Sequence, residues 1–234
     1  MRIHYKIHNY KILPQYATIP IDFMVESILK VTPIGEGGFG GYSMVEEKVD
    51  IPYCKDLDAR PGFAPMDWPN HYDVSDWIFT TMWDGDLLIG GCTIGEVYPN
   101  GSAVIFDHRL RPEYRHAGKT TAGIGTNMGV IAYNDRLSKG CRLLVTQNQN
   151  TNVPGCKHII RKGGVLAGIS TVAPDLLPGE IQLSWKCLLP PDPIPMVPVE
   201  EIDTPETTTT NTLWDIPKVD TVYNKKEDGG PAGN

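Results

Sequence analysis

The apolar and polar positions sort this chain into regions of different periodicity. Ile3–Ile12 alternates loosely and suits an edge strand that ends at Pro14. Thr18 is placed to cap a helix starting near Pro20, because a fixed φ suits a first turn, and Ile21, Met24, Val25, Ile28 and Leu29 form one apolar stripe along it. Residues 32–72 are rich in glycine and proline and lack a period, which predicts a long irregular loop, functional or bound to a partner.

From Val74 the pattern sharpens. Trp77–Trp83, Leu87–Tyr98 and Ala103–Leu110 are three strands, separated by Asp84-Gly85 and Asn100-Gly101. Asp-Gly and Asn-Gly between apolar runs are strong hairpin signals, so these strands form an antiparallel meander. Gly123–Leu137 has the spacing of a helix, with Ile124, Met128, Ile131, Ala132 and Asp135 in period and Gly140 at the stop. Arg142–Thr146 is a buried strand, Asn152–Lys162 a helix stopped by Gly163-Gly164, and Val165–Val172 and Ile181–Leu189 are two final strands. The fold class is α+β: a mixed, mostly antiparallel sheet flanked by helices. No internal repeat is present.

Composition changes this picture mainly at the end of the chain. Of the 234 residues, 41% are apolar, which supports a real core and excludes wholesale disorder. The net charge of −7 is unevenly spread. Residues 190–234 hold nine acids, three bases and eight of the 20 prolines, while residues 1–189 are nearly neutral. The organisation is therefore a body, 1–189, and an acidic Pro/Thr-rich extended tail, 190–234. Such a tail cannot bury enough apolar surface to offset its ordering entropy alone. A protein partner or a second copy of the chain is the expected contact, with Leu213, Trp214, Ile216 and Tyr223 as anchors.

No apolar run approaches the length of a membrane span, and the start MRIHYKIHNYK lacks the apolar core of a secretory signal. The five cysteines, Cys54, Cys92, Cys141, Cys156 and Cys187, are scattered without a CxxC pair. They predict reduced thiols in a cytoplasmic setting and no structural metal site. Cys92, Cys141 and Cys156 lie in apolar contexts and read as core thiols.

Two glycine motifs are lures. Ile34–Gly40, IGEGGFG, matches a kinase glycine loop and a dinucleotide fingerprint. The strand lysine, HRD loop and DFG ligand of a kinase are missing, and the following GYSMVEEKVD runs into Pro52 rather than opening a helix. Gly118-Lys119-Thr120 ends like a nucleoside triphosphate loop, but the first glycine of that motif falls on Glu113, whose carboxylate repels phosphate. The local excess of positive charge lies at Arg109, Arg111, Arg115 and Lys119, interleaved with His108 and His116. In an acidic chain this small cluster fits a phosphate-bearing small ligand at a helix start better than a nucleic acid.

The same segment, RLRPEYRHAGKTTAGIG over 109–125, resembles the acetyl-CoA-binding motif of the GNAT superfamily of N-acetyltransferases. Leu110, Pro112, Tyr114 and Arg115 stand where the family's strand runs into its V-x-P-x-Y-R, and Gly123-x-Gly125 opens the helix. Downstream, Asn152, Gly155, Ile159 and Gly163 keep the family's spacing. The resemblance implies a GNAT-like fold over 1–189, acetyl-CoA as cofactor, and an amine, small molecule or protein, as acceptor. It implies cofactor contacts at Leu110, Arg115, Gly118, Gly123, Ile124, Gly125, Thr126 and Asn152, and polarisation of the thioester by a backbone N–H near Leu110. Asp107 and His108 are the candidate bases; because strand neighbours point to opposite faces, one of them at most faces the cleft.

Three positions depart from the family. Ile159 stands where many members place the tyrosine that protonates the departing thiolate, and His158 is turned about 100° away from it. Gly164 replaces a phenylalanine. The glycine loop is about five residues longer than usual, giving two overlapping partial registers, Arg115/Gly118/Thr120 and Thr120/Gly123/Gly125. These departures imply weakened catalysis. The alternative is a degenerate GNAT-fold component of an assembly, for example a tailed-phage virion, whose tail binds neighbouring subunits in the host cytoplasm or the particle.

Overall fold

The computed structural model describes residues 2–115, 124–172 and 176–196. Its strands are β1 (Ile3–His8), β2 (Phe23–Pro33), β3 (Tyr42–Lys55), β4 (Ile78–Asp84), β5 (Leu87–Ile94), β6 (Ser102–Leu110), β7 (Leu143–Gln149), β8 (Val165–Ser170) and β9 (Gln182–Leu188). Its α-helices are α1 (Leu13–Tyr16), α2 (Trp68–His71), α3 (Pro112–Arg115), α4 (Ile124–Ser138) and α5 (Val153–Arg161). Seven strands form one sheet in the order β1-β4-β5-β6-β7-β9-β8. Every pairing in it is antiparallel except β6 with β7, which is parallel. The expected mixed, mostly antiparallel sheet flanked by helices is thus the observed one.

The sheet carries a core on each face. On one side Met82, Ile89, Ile94 and Leu144 pack against Ile124, Met128 and Ala132 of α4. On the other, Tyr16, Trp68, Trp77 and Phe79 form an aromatic cluster under α1 and α2. A third cluster, Cys156, Leu183 and Trp185, joins α5 to β9. Glycine stops close both long helices. Gly140, at φ 90°, ends α4 with Cys141 N–H bonded to Arg136 O and Gly140 N–H to Leu137 O. Gly163, at φ 77°, ends α5 with the same pair of bonds, Gly164 to Ile159 and Gly163 to Ile160. Both are the left-handed glycine termination expected at these positions.

Two sequence expectations fail together. The helix from Thr18 with the stripe Ile21–Leu29 is instead strand β2, and much of the irregular 32–72 loop is its partner β3. The two make a separate antiparallel ribbon, pairing Phe23–Val25 with Lys55–Tyr53 and, after a register shift, Ser27–Pro33 with Lys48–Tyr42. Gly35, Gly38 and Gly41, all at positive φ, supply the turn between them. The reason lies outside the local sequence. Leu29 N–H donates to Asn150 O and the Asn150 amide donates back to Leu29 O, while Leu29 and Val31 pack on the third cluster. Extended backbone makes those external bonds; a helix would use the same groups internally.

The folded body also runs past residue 189. Leu189 and Ile194 are buried, and Asn134 of α4 exchanges two hydrogen bonds with the Ile194 backbone, each 2.9 Å. The rest of the tail, 197–234, lies outside the described residues, and with it the expected anchors and their partner. No helix among the described residues is long and apolar enough to cross a membrane.

Candidate active site

The site begins at a register fault in β6. Asp107 pairs with Thr93 of β5 and Ile105 with Ile94, which leaves Phe106 as an extra, unpaired residue. A bulge of this kind bends the strand that contains it. On its other edge, β6 pairs with β7 only from Ser102/Leu143 to Ile105/Thr146. Beyond that point Phe106–Leu110 and Gln147–Gln149 are unpaired with each other, so the two parallel strands splay.

Backbone direction follows from the flanking bonds. Arg111 N–H donates to Ile89 O in β5 at 2.8 Å. Strand N–H groups alternate sides, so those of Leu110 and His108 point the other way, into the splay. That is the place and the donor which the resemblance implies for a thioester carbonyl at Leu110.

The bulge also sorts the side chains. Phe106, Asp107 and Arg109 belong to the aromatic face, and His108 and Leu110 to the α4 face. Asp107 is buried, accepting from Tyr16 Oη and from Arg109 Nε, each at 2.6 Å. Arg109 continues as a fork to Asp58, at 2.7 and 3.0 Å, and to Ile19 O. Burial alone would lower the Arg109 pKa, but Asp107 and Asp58 raise it, so the guanidinium stays charged. Of the two candidate bases, Asp107 is therefore a structural ion-pair partner turned away from the splay. His108 faces the cleft.

Around His108 a small cavity of about 10 Å³, room for about one water, is lined by Gly125, Thr126, Gly129, Val130 and Tyr133 of α4 and by His158 and Lys162 from the end of α5. The His108 and His158 rings have centroids 5.5 Å apart. Lys162 Nζ donates to Thr126 Oγ1 at 2.8 Å. Surrounding protein lowers the pKa of His108 most; Lys162 adds to this, while Asp107 and a hydrogen bond with the Gly125 backbone oppose it. His158 is pushed down to about 3, by burial first and then by His108, Lys162 and Arg161. Burial and Arg161 lower Lys162. Tyr133 is raised by burial, and by Cys92 and Cys187.

The implied cofactor contacts divide. Leu110, Gly125 and Thr126 border the splay and the start of α4, while Ile124 is fully buried in the core. Among the described residues no atom lies within 4 Å of where a Cβ on Gly125 would stand, so the first turn of α4 is open at that point. With the helix N-terminus and the Lys162 ammonium, that opening suits an anionic, phosphate-bearing cofactor. Asn152 caps α5, its Oδ1 accepting from Gly155 N–H at 3.0 Å. Arg115 is engaged elsewhere: Nε donates to Leu110 O, and its terminal nitrogens donate to Asp22 O and Pro20 O. It ties the end of β6 to the segment before β2. Gly118 and Gly123 lie outside the described residues.

Two departures acquire physical causes. Ile159 belongs to the third core cluster, and a Cβ on Gly164 would come within 2.3 Å of Ile159 Cγ2. Gly164 is therefore a requirement of close packing rather than the trace of a lost phenylalanine. The packing turns α5 so that His158 and Lys162, four residues apart on one helical face, meet the cleft. Sequence reasoning set His158 aside and missed Lys162 and Tyr133; the i, i+4 pair opposite the opening of α4 was the available signal.

The core thiols are where they were expected: Cys92, Cys141 and Cys156 are buried, and burial pushes Cys156 up to about 12. Among the described residues no group of three or more His, Cys, Asp or Glu side chains is placed to hold a metal.

No protein-family model and no curated protein sequence matches the chain. Solved structures do. A Bacillus anthracis protein assigned as a streptothricin acetyltransferase, in complex with acetyl coenzyme A, superposes with a TM-score of 0.61 at 19% identity, covering 81% of this chain and 100% of that one. A nourseothricin acetyltransferase gives 0.57 at 20% identity, again over 81% of this chain and 100% of its own. With the bulged β6, the splayed β6/β7 pair and the helix opening beside it, these superpositions establish that the chain carries the fold of the GNAT acetyltransferases.

Proposed function

We propose that the protein is an N-acetyltransferase that binds acetyl-CoA in the β6/β7 splay and transfers the acetyl group to an amine. The observation that carries this reading is the splay itself, a strand edge whose pairing ends at Ile105/Thr146, with backbone donors directed into it and Lys162 beside the start of α4. A fold alone does not set an activity; here the fold and the chemistry of the opening coincide.

The cofactor, when bound, supplies an activated acyl group as a thioester. The residues of this chain do the rest. The Leu110 N–H, directed into the splay, stabilises the charge that develops on the carbonyl oxygen. Gly125, Thr126 and Lys162 hold phosphate at the start of α4. His108, neutral at pH 7, accepts a proton from the acceptor nitrogen, directly or through one water.

The assembly-component reading drew on an absent tyrosine, a lost phenylalanine and an irregular loop. Ile159 and Gly164 have a packing explanation, and Tyr42–Lys55 within the loop is a strand of an ordered ribbon. What remains of that reading is the tail.

Calorimetric titration with acetyl-CoA tests the proposal. The full-length protein should bind at micromolar affinity, and Gly125→Glu, which puts a carboxylate in the first turn of the helix, should lose at least about tenfold. Absence of binding by a folded wild-type protein contradicts the proposal.

A further inference from the structure

We propose that His108 and His158 work as a pair that carries one proton from the acceptor nitrogen to the leaving sulfur, so that His158 does the work of the tyrosine missing at 159. This rests on the acetyl-transfer reading above and adds residues to it.

One imidazole comes from the splayed end of β6 and the other from the last turn of α5, and both border the same cleft. Their centroids are 5.5 Å apart with the planes inclined by 54°. Proton transfer spans such a spacing through one water, for which the small cavity between the rings has room. Ile159 cannot take the role, being an apolar side chain held in the core by Gly164 and the third cluster.

The electrostatics agree. His108 is faced by Asp107 from its own strand, by the Gly125 backbone of α4, and by Lys162 and His158 of α5. His158 is faced by His108, Lys162 and Arg161, all of which oppose a charge on it, and Tyr133 of α4 stays a neutral phenol. Both rings are therefore neutral at rest. A proton on one resists a proton on the other, so the pair holds one at a time.

The step balances. An ammonium acceptor loses two protons in becoming the amide. One goes to solvent and frees the lone pair that forms the C–N bond. The C–S bond breaks with its electron pair remaining on sulfur. The second nitrogen proton passes to His108, on to His158, and to the sulfur, leaving both rings neutral again.

The first test needs no cofactor. In imidazole NMR titrations of the full chain, His108→Gln should raise the His158 pKa, because His108 is one of the groups that hold it down. A His158 titration that does not respond to the removal of His108 overturns the pair. The second test follows thiol release from acetyl-CoA with hydroxylamine, which is already neutral at pH 7. His158→Gln should lower kcat by about 10²–10⁴-fold and leave KM for acetyl-CoA within about twofold. His158→Tyr should recover part of the loss, because it restores a proton donor, which a purely packing role would not predict. An unchanged kcat in a His158→Gln protein that still binds acetyl-CoA overturns the pair alone. No binding of acetyl-CoA by the wild type overturns the pair together with the reading beneath it.

Discussion

The two faces of β6 put their polar side chains to opposite ends. On the aromatic face, Asp107 and Arg109 are sealed against Tyr16 and Asp58, every charge answered by another. On the α4 face, one residue along, His108 meets another imidazole and an ammonium around a small cavity. The closed face spends its polarity on holding the strand; the open face keeps polar groups whose partners are not all inside the protein. A strand that must stay firm while one edge is unpaired needs both. Perturbed groups in an open cleft mark function, whereas paired charges in a closed one mark architecture.

The largest effect should come from breaking the closed face. Arg109→Ala leaves Asp107 and part of Asp58 as uncompensated buried charge, which costs about 3–5 kcal/mol in urea unfolding. If the loss is under about 1 kcal/mol, the network is ornamental and the contrast between the faces collapses. Gly164→Ala comes next. The added methyl must displace Ile159, costing about 1–3 kcal/mol by the same measurement and turning α5 away from the cleft. Asn152→Ala removes the α5 cap and should cost about 1 kcal/mol.

The open face has its own signature in pH. His158 titrates near the ordinary 6.5 when unfolded and at about 3 when folded. Between those values the unfolded chain binds more protons, so this residue makes stability fall as pH drops from about 6.5 towards 3. His108, also lowered, acts in the same direction. Carboxylates contribute as well, so the comparison is between proteins: His158→Gln should flatten the wild-type stability profile in that window. Identical profiles would place His158 in a watery, unperturbed setting.

Most of this architecture is legible in the sequence. Asp84-Gly85 and Asn100-Gly101 mark the meander, and Gly140 and Gly163 mark the helix ends, because each requires a local backbone conformation that few residues adopt. The β2–β3 ribbon is not legible, since Ile21–Leu29 fits a helical stripe as well as an extended one and the choice is made by Asn150, more than a hundred residues away. At the site, the motif around Leu110 and Gly125 is readable, and strand alternation correctly limits the choice between Asp107 and His108 to one. The side chains from α5 are not, because a rotation of one residue exchanges Ile159 for His158 and the packing at Gly164 sets that rotation.

The most direct test of the account is amide NMR of the full-length protein during titration with acetyl-CoA. The account predicts perturbations at His108, Leu110, Gly125, Thr126 and Lys162, with Trp68, Phe79 and Asp58 on the closed side nearly still. Binding that perturbs the closed face instead, or leaves the splay unchanged, would contradict it.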